Sequence, residues 1–345
     1  MAAQRVRIID IAQELGVSTA TVSNVIHGKT KKISGQTVRR VQEALERRHY
    51  IPSMAGILLA QNSSRIVGVV VNAHAKYGGQ PLEDGFISSA LSHLSSALQE
   101  AGYFMMVQVT RDWNEIARFA SMWNMEGVVV MGFCQQDYAG LKGQLHIPLV
   151  VFDGALDAPG QVCNLTLDNF GGGRLMGEHF RMMGYSRALC VADNRTGVDE
   201  QRFQGFREGL GGRAELLQVP ADAGERRRFY ESQMDVLAAC RAIFAVSDAY
   251  AAELALLLQE KGLRIPDDVA LAGFDDSPLS RQVFPPLTTI RQDRGERARQ
   301  TVEQLRRLRQ GEGEPETVVL PVTLIPRRST LGRRPLQQRR GRLYP

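Results

Sequence analysis

Long apolar runs, clustered cysteines and paired metal ligands are all missing from this 345-residue chain. No stretch comes near the roughly 18 to 20 consecutive apolar residues that a membrane-spanning helix needs, and the start of the sequence lacks the apolar core of a signal peptide. The four cysteines are widely spaced and form no C-x-x-C pair, which argues against a zinc site or a disulfide framework. These absences predict a cytoplasmic protein with no membrane partner, no metal and no cofactor.

Motifs of catalysis and nucleotide binding are absent as well. The G-x-S-x-G nucleophile elbow does not occur. The run Gly171-Gly172-Gly173 is neither a G-x-G-x-x-G fingerprint nor a Walker loop, because no Lys-Ser/Thr pair follows it. Four histidines make no metal-spaced pair, namely His74, His93, His146 and His179. We therefore predict that the chain is not an enzyme and has no catalytic residue.

Charge is present but unevenly distributed. The first 62 residues carry nine Lys/Arg against four Asp/Glu, and residues 327–345 carry seven Arg and no acid. Since the whole chain has a net charge of +5, the long middle part must be acidic. A basic terminal module on an acidic body favours a local contact with a polyanion such as nucleic acid.

The first fifty residues show helical periodicity without a strand-like run. Ile8, Ile11 and Leu15 fall on one face of a short helix, which Gly16 ends because glycine readily adopts a positive φ. Ser18 is placed to cap a second helix over residues 19–27, and a third is expected from after Ser34 to about 48. Three short helices with a glycine turn between the first two predict a helix-turn-helix domain over residues 1–49.

From residue 65 onward, short apolar runs alternate with amphipathic segments, as in repeated βα units. The predicted strands are 66–71, 104–107, 127–131, 149–152, 188–192, 216–219, 243–246 and 269–274. The predicted helices are 84–101, 169–183, 198–210, 226–239 and 250–261. This number of strands favours an α/β body of two doubly wound parallel-sheet lobes, with a ligand outside the carboxyl ends of the strands.

The predicted domain organisation follows from these patterns. A hinge over 50–64 joins the helix-turn-helix to a sensing and dimerisation domain over 65–328. Its first lobe spans about 65–162 plus 292–325, and its second lobe about 163–291. The remaining residues, 329–345, form a basic Arg- and Pro-rich tail that we expect to be flexible. The tail has no leucine heptad, so it does not favour a helical tetramer bundle.

The run from Ile8 to Gly28, IIDIAQELGVSTATVSNVIHG, closely resembles the lactose-repressor/galactose-repressor family of bacterial regulators. The similarity extends at lower density to DNFGG (168–172), RFQGF (202–206), AVSD (245–248), GFDD (273–276) and PPLTTI (285–290), and so covers nearly the whole chain except the tail. The resemblance implies a helix-turn-helix head on a periplasmic-binding-protein-like body. It also implies a homodimer that binds a roughly palindromic operator and a small-molecule effector, with a carbohydrate as the expected class.

The second helix is the expected reader of DNA, since a recognition helix presents its N-terminal residues to base edges. The resemblance places Thr19, Ala20 and Asn24 at base-reading positions. Asn24 departs from the arginine usual in the family, and asparagine suits adenine where arginine favours guanine. The expected phosphate or backbone contacts are Ser18, Thr21, Ser23 and His27, supported by Lys29, Lys31 and Lys32. The alternative for Thr21 and Ser23 is that they only cap or solvate the helix.

The hinge carries a second predicted DNA contact. In the family the corresponding segment folds into a helix on the operator and inserts a leucine into the minor groove, which here is Leu59. A short helix is too costly to order alone, whereas an apolar wedge between base steps compensates by kinking the duplex. Gly56 replaces the usual alanine and is expected to weaken the helix by roughly 0.5 to 1 kcal/mol. The alternative is a linker that is apolar because it packs on the body.

Arg202 and Asp275 match positions that hold the effector in many members of the family, and such a charged pair suits hydroxyl-rich or carboxylate ligands. Asn72, Asp153 and Asp248 are weaker ligand-binding candidates. The alternatives are a structural salt bridge for Arg202 and a helix cap for Asp275.

The sequence thus predicts a DNA-binding transcription regulator, of the repressor type, whose operator affinity depends on a ligand between two lobes. Two other classes of protein agree less well with the sequence. A periplasmic solute receptor fits the body alone, but the helix-turn-helix and the missing signal peptide oppose it. A sugar-metabolising enzyme would need a catalytic constellation that the sequence does not offer.

Overall fold

The computed structural model describes residues 6–51, 63–133, 138–154 and 162–331. The chain divides into two compact units, Met1–Ser64 and Arg65–Pro345. Within the described ranges, no helix is long and apolar enough to cross a membrane.

The first unit consists of three helices, α1 (Ile8–Leu15), α2 (Thr19–Ile26) and α3 (Gly35–Arg47). Gly16 ends α1 with a φ of +64°, and the Ser18 hydroxyl caps α2 by accepting a hydrogen bond from the Thr21 amide at 3.1 Å. The core of the unit is made of buried apolar residues from all three helices, namely Ile11, Ala12, Val22, Val25, Val41 and Ala44. The predicted helix-turn-helix is confirmed, and the helix ends differ from prediction by about one residue.

The second unit is an α/β body with twelve strands among its described residues. They are β1 (Ile66–Asn72), β2 (Phe104–Thr110), β3 (Gly127–Met131), β4 (Leu149–Phe152), β5 (Cys163–Leu167), β6 (Arg187–Ala192), β7 (Arg213–Gln218), β8 (Ala242–Ala245), β9 (Ala270–Ala272), β10 (Thr289–Gln292), β11 (Thr317–Leu320) and β12 (Val322–Ile325). A parallel six-stranded sheet has the order β11-β5-β4-β3-β1-β2, and a parallel four-stranded sheet has the order β7-β6-β8-β9. Strands β10 and β12 pair antiparallel to each other.

Helices accompany both sheets. They are α4 (Gly85–Glu100), α5 (Trp113–Met122), α6 (Tyr138–Gln144), α7 (Asn169–Met182), α8 (Gly197–Leu210), α9 (Ala223–Ser232), α10 (Met234–Ala239), α11 (Asp248–Glu260), α12 (Leu279–Gln282) and α13 (Arg294–Gln310). One core joins α4 and α13 to the first sheet, and a second core surrounds the four-stranded sheet. The predicted architecture of two parallel-sheet lobes is therefore confirmed.

Several boundaries differ from prediction. Strand β5 pairs with β4, so the first lobe continues to Leu167 instead of ending near residue 162. The predicted helix over 226–239 is two helices that meet at Gln233. The sequence patterns did not predict β5, β10, β11 or β12, nor the helices α5, α6, α12 and α13.

The glycine run has a structural explanation in the crossing of α7 and α8. A Cβ added to Gly173 on α7 would lie 2.0 Å from the Arg202 carbonyl oxygen, and one added to Gly205 on α8 would lie 1.9 Å from the Phe170 carbonyl oxygen. The two backbones therefore touch at positions that only glycine can occupy. This contact fixes α8, and with it Arg202, against the start of α7.

Candidate functional site

The exposed face of α2 carries the residues that were predicted to contact DNA. Thr19, Ala20 and Asn24 are exposed, whereas Val22 and Val25 on the opposite face are buried. The remaining predicted contacts lie on or beside the same helix, with Ser18 exposed and Thr21, Ser23 and His27 half-buried. One helix thus presents all seven of the predicted helix-turn-helix residues.

Helix capping explains the polar side chains of two of these seven residues, Ser18 and Thr21, without any contact with DNA. The hydroxyls of Ser18 and Thr21 hydrogen-bond each other at 2.9 Å, in addition to the cap bond from the Thr21 amide. Thr19, Ala20 and Asn24 take part in no such bond. The side chains at these three positions are therefore exposed and not used in capping the helix.

Sequence reasoning missed one part of this surface. Thr19, Ala20 and Ser23 line an open groove of about 560 Å³ together with Arg7 and Ile9 at the start of α1. Arg7 is exposed and forms an ion pair with Asp10 at 3.3 Å. A basic residue just before a helix-turn-helix was the signal available in the sequence for this part of the groove.

Positive charge on this unit is divided between paired and available groups. Arg47 and Arg48 both form ion pairs with Glu14. The hydrogen bond from Arg48, and to a smaller extent that from Arg47, holds the pKa of Glu14 below its usual value. Lys29, Lys31 and Lys32 are exposed after α2, and none forms an ion pair within the described part of the chain. The predicted hinge residues Gly56 and Leu59 fall on 52–62, outside the described residues.

A cleft of about 460 Å³ lies between the two lobes of the body. Strands β4, β6, β8 and β9 end beside it, as expected for a ligand site at the carboxyl ends of parallel strands. Its walls contain Lys76, Tyr77, Asp84, Phe86 and Asp153 from the first lobe, and Asp193, Asp199, Arg202, Asp248, Tyr250 and Asp275 from the second. Four of the five predicted ligand residues therefore meet in one cavity.

Arg202 is buried in the wall of the cleft on α8. Its Nε donates to Oδ1 of Asn169 at 2.8 Å and its Nη1 to the Val246 carbonyl oxygen at 2.7 Å. The guanidinium carbon stacks 3.8 Å from the ring centroid of Phe274. No described residue accepts a hydrogen bond from Nη2, so this nitrogen is available to a ligand.

Asp275 follows β9 and is also buried, with its backbone in the left-handed region at φ +117°. Its Oδ1 accepts a hydrogen bond from Nε2 of Gln292 at 3.0 Å, whereas Oδ2 has no partner among the described residues. Burial raises the pKa of Asp275 to about 6, although the charges of Arg202 and Arg294 act in the opposite direction. The cleft thus offers a free donor on Arg202 and a free acceptor on Asp275.

The other three predicted residues have partners within the protein. Both carboxylate oxygens of Asp248 are occupied, by the Thr289 hydroxyl at 2.6 Å and by the amide and hydroxyl of Ser277 at 2.7 and 3.0 Å. Asp153 is bound by Thr166 and Arg297. Asn72 does not line the cleft, and its amide supports the cleft wall by donating to the Gly132 carbonyl oxygen at 2.8 Å.

A pair of carboxyl groups in the second-lobe wall was not predicted. The amide of Asn194 donates to Asp193 at 3.1 Å and to Asp199 at 2.9 Å. Burial raises the pKa of Asp199 to about 7, whereas burial acts in the same direction on Asp193 but is outweighed by its polar and charged neighbours, which hold the pKa of Asp193 below its usual value. Asp193 directly follows β6, so the rule that ligand sites follow strand ends was the signal available for it.

Comparison with known proteins assigns each unit to a described class. Residues 7–53 match the model of bacterial regulatory proteins of the lacI family, and residues 177–330 match a periplasmic binding protein-like domain. The HTH-type transcriptional repressor PurR of Mannheimia succiniciproducens is 30% identical over 340 residues, covering 93% of this chain and 98% of that protein. PurR of Vibrio cholerae serotype O1 is 28% identical over 302 residues, covering 83% and 86%.

Solved structures agree with these matches. The lac repressor dimer bound to operator and the anti-inducer ONPF has a TM-score of 0.82 at 23% identity, covering 95% of this chain and all of that one. The complex of the transcriptional regulator CelR with cellobiose has a TM-score of 0.69 at 25% identity, covering 94% and 100%. The chain is thus similar to such regulators over both of its units.

Proposed function

The chain belongs to the LacI family of bacterial regulatory proteins, and on that premise we propose that a small, uncharged, hydroxyl-rich effector in the cleft controls its affinity for operator DNA. The family assignment makes it a DNA-binding transcriptional repressor with a ligand-binding domain, and not an enzyme. The class of the effector, the operator contacts and the homodimer are the parts that we propose.

The presence of Arg202 and Asp275 in one wall of the cleft is the observation that supports the proposed effector class. One wall of the cleft presents a guanidinium nitrogen that lacks an acceptor and a carboxyl oxygen that lacks a donor, both on buried side chains. Hydroxyl groups both donate and accept hydrogen bonds, so neighbouring hydroxyls of one sugar ring satisfy both atoms. Tyr77 and Phe86 add apolar surface on the facing lobe, as is usual in ligand pockets.

The charge of the cleft favours a neutral effector over a phosphorylated one. Its lining contains eight carboxyl groups and three cationic groups. One of the cations, Arg226, is fully engaged by Glu253 and by the carbonyl oxygens of Pro220 and Ala221. An added phosphate would meet like charge at short range, which is costly in a poorly solvated cavity. The cellobiose complex of the relative CelR supports the same class.

On the DNA side, we propose that α2 reads the major groove of each half of a roughly palindromic operator. Thr19, Ala20 and Asn24 would face bases, with adenine preferred at the position facing Asn24. Ser18, Thr21, Ser23 and His27 would contact phosphates, with support from the lysines after α2. Leu59 would act as the minor-groove wedge, and the protein would work in the cytoplasm, where its operator lies.

The effector would act by linkage. A ligand raises or lowers operator affinity only through its different affinities for the two arrangements of the lobes. An effector that favours the DNA-binding arrangement acts as a corepressor, and one that favours the other arrangement acts as an inducer. A nucleoside is the competing effector class, because a planar base could stack on the same aromatic side chains.

A thermal-shift panel on the full-length protein tests the effector class, using glucose, cellobiose, adenosine and glucose 6-phosphate. A neutral sugar is expected to raise Tm, since ligand at about 100 times its Kd adds roughly 2.7 kcal/mol of stability. Asp275→Asn should abolish that shift. A shift with adenosine or glucose 6-phosphate alone would replace the proposed effector class.

Gel-shift titration against the upstream region of the protein's own gene, at two salt concentrations, tests the DNA activity separately. Specific complexes should weaken steeply with salt and respond to the compound that raises Tm. Binding without sequence preference would contradict the operator proposal.

A further inference from the structure

Two carboxylates line the cleft from different lobes, and both occupy unusual backbone conformations. Asp275 in the second lobe has a φ of +117°, and Asp153 in the first lobe has a φ of +55°. Such conformations cost of order 1 to 3 kcal/mol in residues other than glycine and persist only where the surroundings enforce them. The contacts that hold these two residues therefore determine the geometry of both walls.

A chain of hydrogen bonds connects the two carboxylates beneath the cleft. Nε2 of Gln292 donates to Oδ1 of Asp275 at 3.0 Å, and Nη1 of Arg297 lies 3.5 Å from Oε1 of Gln292. Nη2 of Arg297 then donates to Oδ2 of Asp153 at 2.8 Å. Gln292 and Arg297 are each 3% exposed, so water does not compete for these bonds.

The elements that carry this chain join the lobes. Gln292 is the last residue of β10, which leads out of the second lobe, and Arg297 lies in the first turns of α13, which packs on the first sheet. Arg297 also donates to the Leu165 carbonyl oxygen at 2.7 Å and stacks 4.1 Å from the ring centroid of Phe152. Its position is thus fixed by the first lobe.

The charge of Arg297 makes the connection energetically important. A buried guanidinium is tolerated only beside an opposite charge, and Asp153 is its ion-pair partner. Its Nε is buried without a hydrogen-bond partner among the described residues, so the bonds of the other two nitrogens alone offset the cost of burying the charge. Loss of the Gln292 contact would leave Arg297 with fewer partners and would loosen its hold on Asp153.

We propose that Gln292 and Arg297 are positioning residues that transmit the state of Asp275 to Asp153, and so couple the two walls of the effector cleft. A ligand bound to Asp275 then alters the wall at Asp153 without needing to contact that residue. The use of this coupling rests on the proposed function, but the coupling itself exists without an effector and is tested without one.

Amide hydrogen exchange on the effector-free full-length protein provides the test. Asp275→Gly removes the carboxylate and keeps a residue that accepts a φ of +117°. Exchange in residues 149–154, in the other lobe, should become about fivefold faster, the lower end of the range for coupled sites. Asp199→Ala, at an equally buried cleft carboxyl of the second lobe, is the matched control and should leave that segment unchanged.

Gln292→Ala provides the second arm, because adding Asp275→Gly to it should produce no further acceleration in residues 149–154. Arg297→Met, compared with Arg299→Met at an exposed position on the same helix, should speed exchange in both 149–154 and 273–277. The proposal is overturned if Asp275→Gly leaves residues 149–154 unchanged, if Asp199→Ala accelerates them equally, or if the two substitutions act additively. An inactive effector panel would not affect this outcome.

Discussion

Replacement of Arg202 by methionine separates its structural role from its proposed role as a ligand contact. Methionine keeps much of the apolar stem but removes both hydrogen bonds, the one to Asn169 and the one to the Val246 carbonyl oxygen. It also removes the largest favourable charge near Asp275, so the pKa of that carboxyl should rise further above its usual value. The cleft would then lose its donor and part of the negative charge on its acceptor.

The cost to stability follows from those two bonds. Hydrogen bonds that involve a charged group contribute about 1.5 to 3 kcal/mol each, and both acceptors would stay buried without a partner. A loss of about 3 kcal/mol or more is therefore expected. For a domain of this size, about 2 to 4 °C in Tm corresponds to each kcal/mol, so Tm should fall by roughly 6 to 12 °C.

Thermal unfolding and effector titration of the same preparation measure the two effects. Arg207→Met is the matched control, since Arg207 is exposed on the same helix. Its guanidinium carbon lies 5.9 Å from the Phe203 ring centroid, a looser contact than the 3.8 Å between Arg202 and Phe274. Specific DNA binding should survive below the new Tm, because the helix-turn-helix is a separate compact unit. The reasoning is refuted if Arg202→Met melts like Arg207→Met, or if it keeps a normal response to the compound that shifts the unsubstituted protein.

Three further changes test other parts of the molecule. Asn24→Arg should shift preference toward guanine at one position per half-site by about 1 to 3 kcal/mol in competition gel shifts, and an unchanged preference would show that position 24 does not read bases. Gly205→Ala should lower Tm strongly, since its Cβ would lie 1.9 Å from a carbonyl oxygen, whereas Gly143→Ala, with nothing within 4 Å, should not. Burial raises the pKa of Asp199 to about 7, so between about pH 4 and 7 the folded state holds a proton on this carboxyl that the unfolded state has released. The stability that this proton gives the folded state is therefore present at low pH and is lost as the pH rises through 7. Asp199→Asn should therefore flatten the dependence of Tm on pH between 5 and 8, and an unaltered dependence would contradict the assignment.

The sequence predicts best the elements whose buried residues are apolar and consecutive in the chain. Strands β3 and β4 were predicted at their observed ends, because each is a continuous buried run of valine, leucine and similar residues. Helix α13 was missed although it has 17 residues. Its buried face mixes the apolar Ala298 and Leu305 with the polar Arg297, Thr301 and Gln304, and these polar positions weaken the apolar periodicity.

The position of the cleft is easier to predict from the sequence than the roles of the residues that line it. Ligand sites at the carboxyl ends of parallel strands follow from topology, which the sequence pattern reveals. Whether a carboxylate there faces a ligand or is occupied by the protein depends on partners that are distant in sequence. Asp248 is bound by Thr289, 41 residues away, and Asp153 by Arg297, 144 residues away. No local pattern distinguishes these two residues from Asp275.

The neighbours Asp275 and Asp276 have different partners within one loop, since Asp275 keeps a free carboxyl oxygen among the described residues whereas Asp276 is anchored. Asp276 is bound by Arg291 at 2.6 Å and by Arg327, and although burial raises its pKa, the hydrogen bonds from these arginines hold it below its usual value. Arg291 lies in β10 and Arg327 follows β12, the two strands that pair beside the lobes. An effector bound to Asp275, as proposed, would act one residue from an anchor on those strands, so even a small movement of the loop would change the connection through which the lobes are proposed to respond to each other.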